Sequence, residues 1–563
     1  MPTELDRAII SVTDAITAEG QMFETVTAQR GDWALPAFKN APPSLPHYFA
    51  FFVNQHRETL FLVDGDLRLT FGEVYAAAGK VADGLAERHG VKKGDRVGIA
   101  ARNSANWIIA YMGTLMAGGV ATLLNGWWTG EELRYGIELC GCSLILADEE
   151  RAARLEGTAH ADRTVVFGHG APAEGLAPLM GDGDTAMRML GELGPHDLAT
   201  ILYTSGSTGH PKGAYSDHLG VVSGTMNYVC QTVMVLQLLT QAGQAPTAQP
   251  SALVSVPLFH VTGEVPLFLQ SFAMGRKLVL MPKWDAGEAL RLLAEEKITY
   301  FVGVPLMSYE LANHPDRDKY DLSECKTFAA GGSPRPPEHV TRIKSAFPEG
   351  FPVLGYGLTE TNGVGCGNMN ENYLAKPGST GMPSKPLVDM AILDDDGNKL
   401  PAGETGEVAI RSICNFLGYW ENEEATQAAF TKDGYFRTGD LGYLDEDNYL
   451  FIVDRKKDII IRGGENIACI EVEEAIYAHD DVAECSVFGL PDERFGEVCG
   501  AVYVTKPGRD LSPHDLTEFL SGKIAPFKIP EQLWRTDEPL PRLGTQKIDK
   551  VTLRERYAER SAA

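Results

Sequence analysis

Residues 198–229 read LATILYTSGSTGHPKGAYSDHLGVVSGTMNYV, and this stretch holds the strongest local signals for the fold. Its apolar start, residues 198–204, predicts a buried strand, and residues 218–229 predict a helix. Between them, glycines and small hydroxylated side chains would let backbone N–H groups approach an anion closely, and Lys212 would add a positive charge. The stretch therefore predicts a strand, a phosphate-binding loop and a helix, in that order.

The spacing of this loop differs from that of two well-known glycine-containing motifs, the Walker A loop and the nucleophile elbow. Gly213 follows Lys212, so the hydroxylated residue that ends a Walker A loop is absent. The loop also lacks the Gly-x-Ser-x-Gly sequence of a nucleophile elbow. Its composition therefore favours anion binding through backbone donors over a nucleophilic serine.

On the C-terminal side of this stretch, short apolar runs alternate with segments of helical period. Asp285 would cap a helix over residues 285–297, because a short acidic side chain accepts hydrogen bonds from the free N–H groups at a helix start. The predicted strands cover residues 252–258, 277–281, 298–304, 325–330 and 351–357. This alternation predicts an α/β fold in which mixed, largely parallel sheets are covered by helices.

The pattern changes near residue 455, where we place a domain boundary. The charged turn DRKKD at 454–458 divides the chain into a large N-terminal domain, residues 1–455, and a small C-terminal domain, residues 456–563. The second part contains two strands and two helices, the later of which begins near Ser512. Its length is sufficient for a separate α+β domain.

Composition limits the functional class. The 563 residues include 50 Lys and Arg against 76 Asp and Glu, a net charge of −26, which argues against a nucleic acid or an anionic membrane as the partner. No uncharged apolar stretch reaches ~18 residues, and no basic segment followed by an apolar one opens the sequence, so neither a membrane span nor a signal peptide is predicted. The nine cysteines show no zinc-site spacing. We expect a soluble cytoplasmic protein with reduced thiols.

Further motifs follow the loop at 203–214. They are GYGLTE at 355–360, YFRTGD at 435–440, DRKKD at 454–458 and RGGEN at 462–466. In this order they resemble the core motifs of the adenylate-forming superfamily, which includes acyl- and aryl-CoA synthetases, peptide-synthetase adenylation domains and firefly luciferases. The resemblance extends from about residue 45 to residue 555, nearly the whole chain.

The resemblance implies a reaction in two steps. ATP and a carboxylic acid form an acyl-adenylate with release of pyrophosphate, and a thiol, usually coenzyme A, then displaces AMP. ATP, Mg²⁺ and coenzyme A are the implied cofactors and co-substrates. Because the first step brings a carboxylate to a polyphosphate, it requires cations and aligned donors.

The resemblance assigns phosphate and metal contacts to the first two motifs. Lys212 would contact the β- and γ-phosphates, Thr359 would also contact phosphate, and Glu360 would ligate Mg²⁺, a hard cation that prefers oxygen. The loop residues implied to hold phosphate are Thr204, Ser205, Gly206, Ser207, Thr208 and Gly209. Of these residues, Thr204, Lys212 and Glu360 are the catalytic candidates.

The remaining nucleotide contacts fall to later motifs. Tyr356, between Gly355 and Gly357, would stack on adenine, and Asp440 would accept hydrogen bonds from the ribose hydroxyls. Arg455 would contact ribose or phosphate. The opposite wall of the adenine pocket would consist of Gly331, Gly332 and Ser333.

The sequence LPRLGTQKIDK at 540–550 resembles the last motif of the superfamily, which contains the adenylation lysine. The register of the motif assigns this role to Lys547, whose ammonium group would neutralise charge that grows in the transition state, and Lys550 is a competing assignment. Leu543 stands where the family often has threonine, and Gln546 stands where it often has glycine. Gln546 restricts the backbone more than glycine does.

In relatives the small C-terminal domain rotates between the two half-reactions, and the resemblance places this hinge at Lys457. One orientation would bring Lys547 to the active site, and the other would bring the loop after the hinge there. Gly463, Gly464 and Glu465 of that loop would line a narrow tunnel for the pantetheine arm of coenzyme A.

The acid pocket would include His260, Val302, Gly332 and Gly363. Segments 301–307 and 328–335 contain no carboxylate that could hold an amino group, which favours a hydrophobic acid, a fatty acid more than an aryl acid. His260 would line the pocket without a direct chemical role.

Three functional alternatives stay open on the sequence. The first is an acyl-CoA synthetase, and the second is an adenylating enzyme that passes its acyl group to a carrier protein or an amine. The third is a luciferase-like oxygenase or a non-catalytic binding relative. The assembly state is also open, with a homodimer as one candidate.

Overall fold

The computed structural model of the protein describes residues 3–204, 211–333, 335–543 and 547–561. In these ranges the chain is a mixed α/β fold whose strands form five sheets, which confirms the predicted fold class. The helices of eight or more residues are Glu4–Thr17, Leu45–His56, Phe71–Glu87, Ala105–Met116, Gly130–Cys140, Thr185–Glu192, His218–Gln241, Ala286–Glu295, Pro305–Asn313, Pro337–Ala346, Cys469–Tyr477, Pro513–Ser521 and Lys550–Ser561.

A two-stranded antiparallel sheet, Thr25–Arg30 with Trp33–Phe38, precedes two large sheets. The first large sheet contains, in spatial order, Gly418–Tyr419, Lys212–Asp217, Leu198–Thr204, Val120–Leu123, Arg96–Ala100, Leu144–Ala147 and Thr164–Val166. Its last five strands are parallel, as predicted.

The second large sheet has nine strands and contributes one edge of the candidate site. In spatial order they are Met382–Pro383, Gly365–Met369, Phe351–Gly357, Thr327–Gly331, Tyr300–Gly303, Ser251–Val254, Lys277–Leu280, Leu60–Asp64 and Leu67–Thr70. The six strands from Phe351–Gly357 to Leu60–Asp64 are parallel.

A third, antiparallel sheet was not predicted. It consists of Val388–Leu393, Gly406–Ser412, Phe436–Leu444 and Leu450–Arg455. The alternation of strands and helices that predicts parallel sheets breaks down here, because strands joined by a short turn, such as Phe436–Leu444 and Leu450–Arg455, pair antiparallel.

The stretch at 198–229 folds as predicted in two of its three parts. Leu198–Thr204 is a strand, and the predicted helix runs over His218–Gln241 with Asp217 as its N-cap. The prediction that the helix follows the loop directly was wrong, because strand Lys212–Asp217 intervenes and pairs antiparallel with Leu198–Thr204. The pairing places Thr204 opposite Lys212 at the ends of the two strands.

The predicted N-cap Asp285 and the predicted helix start near Ser512 are both present. The Asp285 carboxylate accepts a hydrogen bond from the Glu288 N–H at 2.8 Å, at the start of helix Ala286–Glu295. The Ser512 hydroxyl oxygen accepts from the Asp515 N–H at 3.2 Å.

Helix His218–Gln241 is the one element of the described ranges with the length and hydropathy of a membrane span. Within its apolar window, 61% of the residues are buried in the fold. Packing in the protein core accounts for this apolar composition.

The C-terminal sheet follows the turn at 456–458. Its strands are Ile460–Arg462, Glu465–Ile467, Val482–Asp492, Gly496–Thr505 and Gln532–Arg535. Asp454, the residue before Arg455, is buried, and its carboxylate accepts hydrogen bonds from the N–H groups of Cys469 and Ile470. We keep the domain boundary at 455/456 as a proposal, since one sheet ends and the next begins there.

Candidate active site

The candidate site begins where two parallel strands of the nine-stranded sheet end. Gly331 and Gly355 are paired in these strands, and a Cβ atom at Gly331 would lie 3.3 Å from the Gly355 carbonyl oxygen. Ligands of open α/β sheets bind outside the carboxyl ends of the strands. The same edge holds the predicted residues Gly332, Ser333, Tyr356 and Gly357.

Tyr356, Asp440 and Arg455 form one hydrogen-bonded group. The Tyr356 hydroxyl donates to Asp440 Oδ2 at 2.7 Å, and Arg455 Nε lies 3.3 Å from Asp440 Oδ1. Burial raises the pKa of Asp440, although the Arg455 guanidinium opposes this shift. Three residues that the sequence assigned to adenine, ribose and phosphate are therefore in direct contact.

Glu360 is buried and lies in the short 3₁₀ helix Thr359–Thr361. The Tyr419 hydroxyl donates to Glu360 Oε1 at 2.9 Å, and Lys212 Nζ lies 4.8 Å from the centre of the Tyr419 ring. Burial raises the pKa of Glu360. Tyr419 thus joins two predicted catalytic residues, and its sequence position gave no signal for this role.

The donor set around Glu360 fits Mg²⁺. Among the described residues, no group of three or more His, Cys, Asp or Glu side chains is arranged to hold a metal ion. Mg²⁺ does not require such a group, because it is commonly held by one or two carboxylates together with substrate phosphates. The carboxylate of Glu360 is the group that would hold it here.

Two backbone contacts position Lys547. The Leu543 N–H donates to the Lys547 carbonyl oxygen at 2.8 Å, and Arg542 forms a β-bridge with Ile548. The side chain extends to Gly332, where a Cβ atom would lie 3.4 Å from Lys547 Cε. Glycine at 332, with a φ of +79°, leaves this approach open.

Lys547 and Gly332 line a small cavity. The other lining residues are Val256, Pro257, His260, Thr262, Val304 and Gly331. Burial and the nearby Lys547 ammonium lower the pKa of His260 to about 3, so its imidazole is neutral at pH 7. Burial and Arg455 lower the pKa of Lys547 to about 8, which leaves it mostly protonated at pH 7.

The competing lysine has a different environment. Lys550 Nζ lies 2.8 Å from Glu473 Oε1, within the C-terminal part of the chain. It does not line the cavity described above. Leu543, one of the two departures from the family motif, contacts Lys547 through its backbone, whereas Gln546 lies outside the described residues.

Some predicted site residues lie outside the described ranges or away from the cavity. Ser205, Gly206, Ser207, Thr208 and Gly209 lie outside the described residues. Thr359 begins a short 3₁₀ helix, Thr359–Thr361. Val302 precedes the cavity residue Val304 by two positions. Gly363 lies beside Val261, and a Cβ atom at Gly363 would be 3.4 Å from Val261 Cγ2.

The predicted tunnel residues are not at this cavity. Gly463 and Gly464 form the turn of a hairpin, with φ values of +60° and +94°, and Glu465 is exposed. The Gly463 N–H donates to the Phe495 carbonyl oxygen at 2.8 Å. Lys457, the predicted hinge residue, is exposed in the turn at 456–458.

Comparisons with known proteins agree with this geometry. Residues 49–420 match the family model of AMP-binding enzymes, and residues 471–547 match the model of the AMP-binding enzyme C-terminal domain. The chain is 32% identical to a long-chain-fatty-acid–CoA ligase of Bacillus subtilis, over 87% of this chain and 90% of that protein. It is 33% identical to a feruloyl-CoA synthase of an Amycolatopsis species, over 88% of this chain and 95% of that protein. The ATP-bound structure of MatB from Rhodopseudomonas palustris superposes with a TM-score of 0.80 at 28% identity, covering 92% of this chain and 99% of MatB.

Proposed function

Since the chain belongs to the family of AMP-binding enzymes and is an AMP-forming acid–thiol ligase, we propose that it activates a hydrophobic carboxylic acid, a fatty acid rather than an aryl acid, and transfers the acyl group to coenzyme A. In the first step the acid carboxylate attacks the α-phosphorus of ATP, which forms acyl-AMP and releases pyrophosphate. In the second step the thiol of coenzyme A attacks the acyl carbon and displaces AMP.

One observation supports this proposal above the others. Lys547 reaches the cavity beside His260 and Gly332, while Tyr356 lies at the neighbouring strand end and donates a hydrogen bond to Asp440. An acid in the cavity and a nucleotide at the strand ends would therefore meet at Lys547. The ammonium group would offset the repulsion between carboxylate and phosphate as the new bond forms.

Glu360 and Lys212 would serve the pyrophosphate side of the reaction. Bound Mg²⁺ would supply positive charge to the phosphates, and Glu360 would hold it. The Tyr419 hydroxyl orients Glu360, because it donates to one carboxylate oxygen at 2.9 Å. Lys212 lies on the other side of the Tyr419 ring and would add a mobile positive charge.

The cavity lining favours an acid with an apolar body. Val256, Pro257 and Val304 contribute aliphatic surface, and His260 is neutral at pH 7. None of the residues that line the cavity is acidic, so an α-amino group would have no counterion there.

The second step would use the other face of the C-terminal domain. We propose that rotation at Lys457 withdraws Lys547 and brings Gly464 to the acyl carbon. Gly463 and Glu465 would then border the pantetheine arm. Among the described residues, nothing lies within 4 Å of the position of a Gly464 Cβ atom, so they leave this turn unobstructed in the present orientation.

The proposal is tested by AMP release from the purified protein with ATP and Mg²⁺. Short-, medium- and long-chain fatty acids and aromatic acids would each be supplied with and without coenzyme A. We expect AMP formation that depends on coenzyme A and is fastest with one class of fatty acid. Pyrophosphate release that is independent of coenzyme A would instead favour a carrier protein or an amine as the acceptor.

The pKa of Lys547 leads to a prediction about pH. Its ammonium form must be present for adenylation, and burial lowers its pKa to about 8, so activity is full below this pH and lost as the pH rises through it. We expect kcat/KM for pyrophosphate release, which reports the free enzyme, to fall about tenfold per pH unit above pH 8. A profile from pH 6 to pH 10 measures this.

Lys547→Arg is the matched control for the pH profile, because a guanidinium group stays protonated throughout this range. Its kcat/KM should be lower but should not show the alkaline decline. If the same decline appears in this variant, another group is responsible and the assignment to Lys547 is wrong.

A further inference from the structure

Arg276 is a buried cation whose position the proposed reaction does not explain. It is 5% exposed and lies between helix Gln270–Met274 and strand Lys277–Leu280. Its Nη1 donates to Gln270 Oε1 at 3.2 Å, and its Nε has no hydrogen-bond partner. Within the described ranges, no carboxylate forms an ion pair with it. A buried charge of this kind is expected to be paired.

Hydrogen bonds connect Arg276 to the predicted acid pocket. The Gln270 side chain that accepts from Arg276 also donates to the Tyr228 carbonyl oxygen at 2.9 Å. The Tyr228 hydroxyl donates to the carbonyl oxygen of Gly363, a predicted pocket residue, at 2.5 Å. A Cβ atom at Gly363 would lie 3.7 Å from this hydroxyl oxygen. Tyr228 therefore contacts both Gln270, the partner of Arg276, and the predicted pocket residue Gly363.

Strand Tyr300–Gly303 begins beside the Arg276 side chain and leads toward the cavity that Lys547 lines. Tyr300 and Val302 pack against one hydrophobic cluster, whereas Phe301 packs against another, as alternation along a strand requires. Val304, just beyond the strand, lines the Lys547 cavity. The Arg276 guanidinium lies 5.0 Å from the centre of the Tyr300 ring. The four residue steps of extended chain from Tyr300 to Val304 span ~13 Å.

We propose that Arg276, with Gln270 and Tyr300, forms the distal end of the acid pocket and binds an oxygen acceptor at the end of the substrate opposite its reacting carboxylate. The substrate class is a medium-chain acid with an apolar body and a second oxygen function, for which a carboxylate is the strongest partner of a guanidinium group. This inference rests on the proposed acyl-CoA synthetase function. Within the described residues, the Tyr300 hydroxyl has no hydrogen-bond partner and is a second donor for that oxygen.

The test compares three acids of equal chain length: decanoic, 10-hydroxydecanoic and decanedioic acid. The quantity is kcat/KM for AMP release that depends on coenzyme A. We expect the wild-type protein to prefer decanedioic over decanoic acid by about tenfold or more, because a site built for a polar group is left unpaired by an analogue that lacks it. The hydroxy acid should fall between the two.

Two variants test whether Arg276 and Tyr300 cause the preference for decanedioic acid. Arg276→Met should reduce the ratio of the two kcat/KM values by about 10- to 100-fold. Tyr300→Phe removes only a hydroxyl group and should reduce the same ratio several-fold, which keeps the test valid if Arg276→Met does not fold.

Arg151→Met is the matched control. Arg151 is 2% exposed, its Nε donates to the Gly126 carbonyl oxygen at 2.7 Å, and among the described residues its Nη2 has no hydrogen-bond partner. Removing it carries the general consequences of losing a buried arginine, so the thermal stability should fall while the ratio of kcat/KM values stays within about twofold of wild type.

The outcomes separate this inference from the proposed function. Equal or better use of decanoic acid by the wild type would overturn the distal site and leave the acyl-CoA synthetase function intact. A preference for decanedioic acid that persists in both Arg276→Met and Tyr300→Phe would also overturn it. If no acid in this panel or in the broader one yields AMP in the presence of coenzyme A, the proposed function itself is wrong.

Discussion

Lys547→Ala is expected to slow acyl-adenylate formation by about 10²- to 10³-fold, the scale of losing one charged group aimed at a transition state. The same variant should convert a supplied acyl-adenylate and coenzyme A to the thioester at close to the wild-type rate. The reason is geometric, because Lys547 reaches the cavity beside Gly332 and His260, where the acid and the α-phosphate would meet. Pyrophosphate release measures the first step, and thioester formation from synthetic acyl-AMP measures the second.

Two other lysines serve as controls for this split. Lys523 is exposed in the C-terminal part of the chain, and Lys523→Ala should leave both half-reactions within about twofold of wild type. Lys550→Met should lower stability, because it removes the ion-pair partner of Glu473, and it should affect the two half-reactions equally. Equal loss of both steps in Lys547→Ala would show that Lys547 is not specific to adenylation.

Gly464→Trp is expected to give the opposite split. A bulky side chain in the turn of hairpin Ile460–Ile467 would occupy the path proposed for the pantetheine arm, and thioester formation should fall by about 100-fold or more. Adenylation should change little, because in the present orientation nothing lies within 4 Å of a Cβ atom at Gly464. The same two assays measure the result.

Gly464→Ala separates bulk from backbone strain. The φ of Gly464 is +94°, so any side chain there is strained by roughly 1–3 kcal/mol, and alanine and tryptophan share this cost. Alanine adds only one methyl group to the tunnel. If Gly464→Ala impairs thioester formation as strongly as Gly464→Trp, strain is the cause and the tunnel assignment loses its support.

The sequence motifs predicted much of what the structure brings together. Tyr356, Asp440 and Arg455 belong to three separate motifs, and they are in direct contact. Lys547 reaches Gly332 although more than two hundred residues separate them. Such contacts could be expected only from the resemblance, because local composition around each residue is compatible with an exposed loop.

Other features depend on pairings that no local pattern encodes. Strand Lys212–Asp217 reads KGAYSD, a polar sequence whose extended form is determined by its neighbour Leu198–Thr204. Tyr419 reaches Glu360 through the short strand Gly418–Tyr419, which pairs with this same hairpin.

Arg276 shows a different limit of sequence analysis. The segments expected to line the acid pocket follow the carboxyl ends of the strands, whereas Arg276 precedes the opposite end of strand Lys277–Leu280. Only the fold brings the Arg276 guanidinium to the Tyr300 ring, at the start of the strand that leads to Val304.

The carboxylate of Asp454 has a consequence for the balance between the two proposed domain orientations. It precedes Lys457 in the chain, whereas the Cys469 and Ile470 N–H groups that it binds follow Lys457. A turn of the second domain at that residue must separate acceptor from donors, and contacts of this type contribute about 0.5–2 kcal/mol. Their loss alone would change the ratio of the two populations by about 2- to 30-fold in favour of the orientation seen here. If the domain turns at Lys457 as proposed, differential binding of the acyl-adenylate or of coenzyme A must supply this free energy before the second step begins.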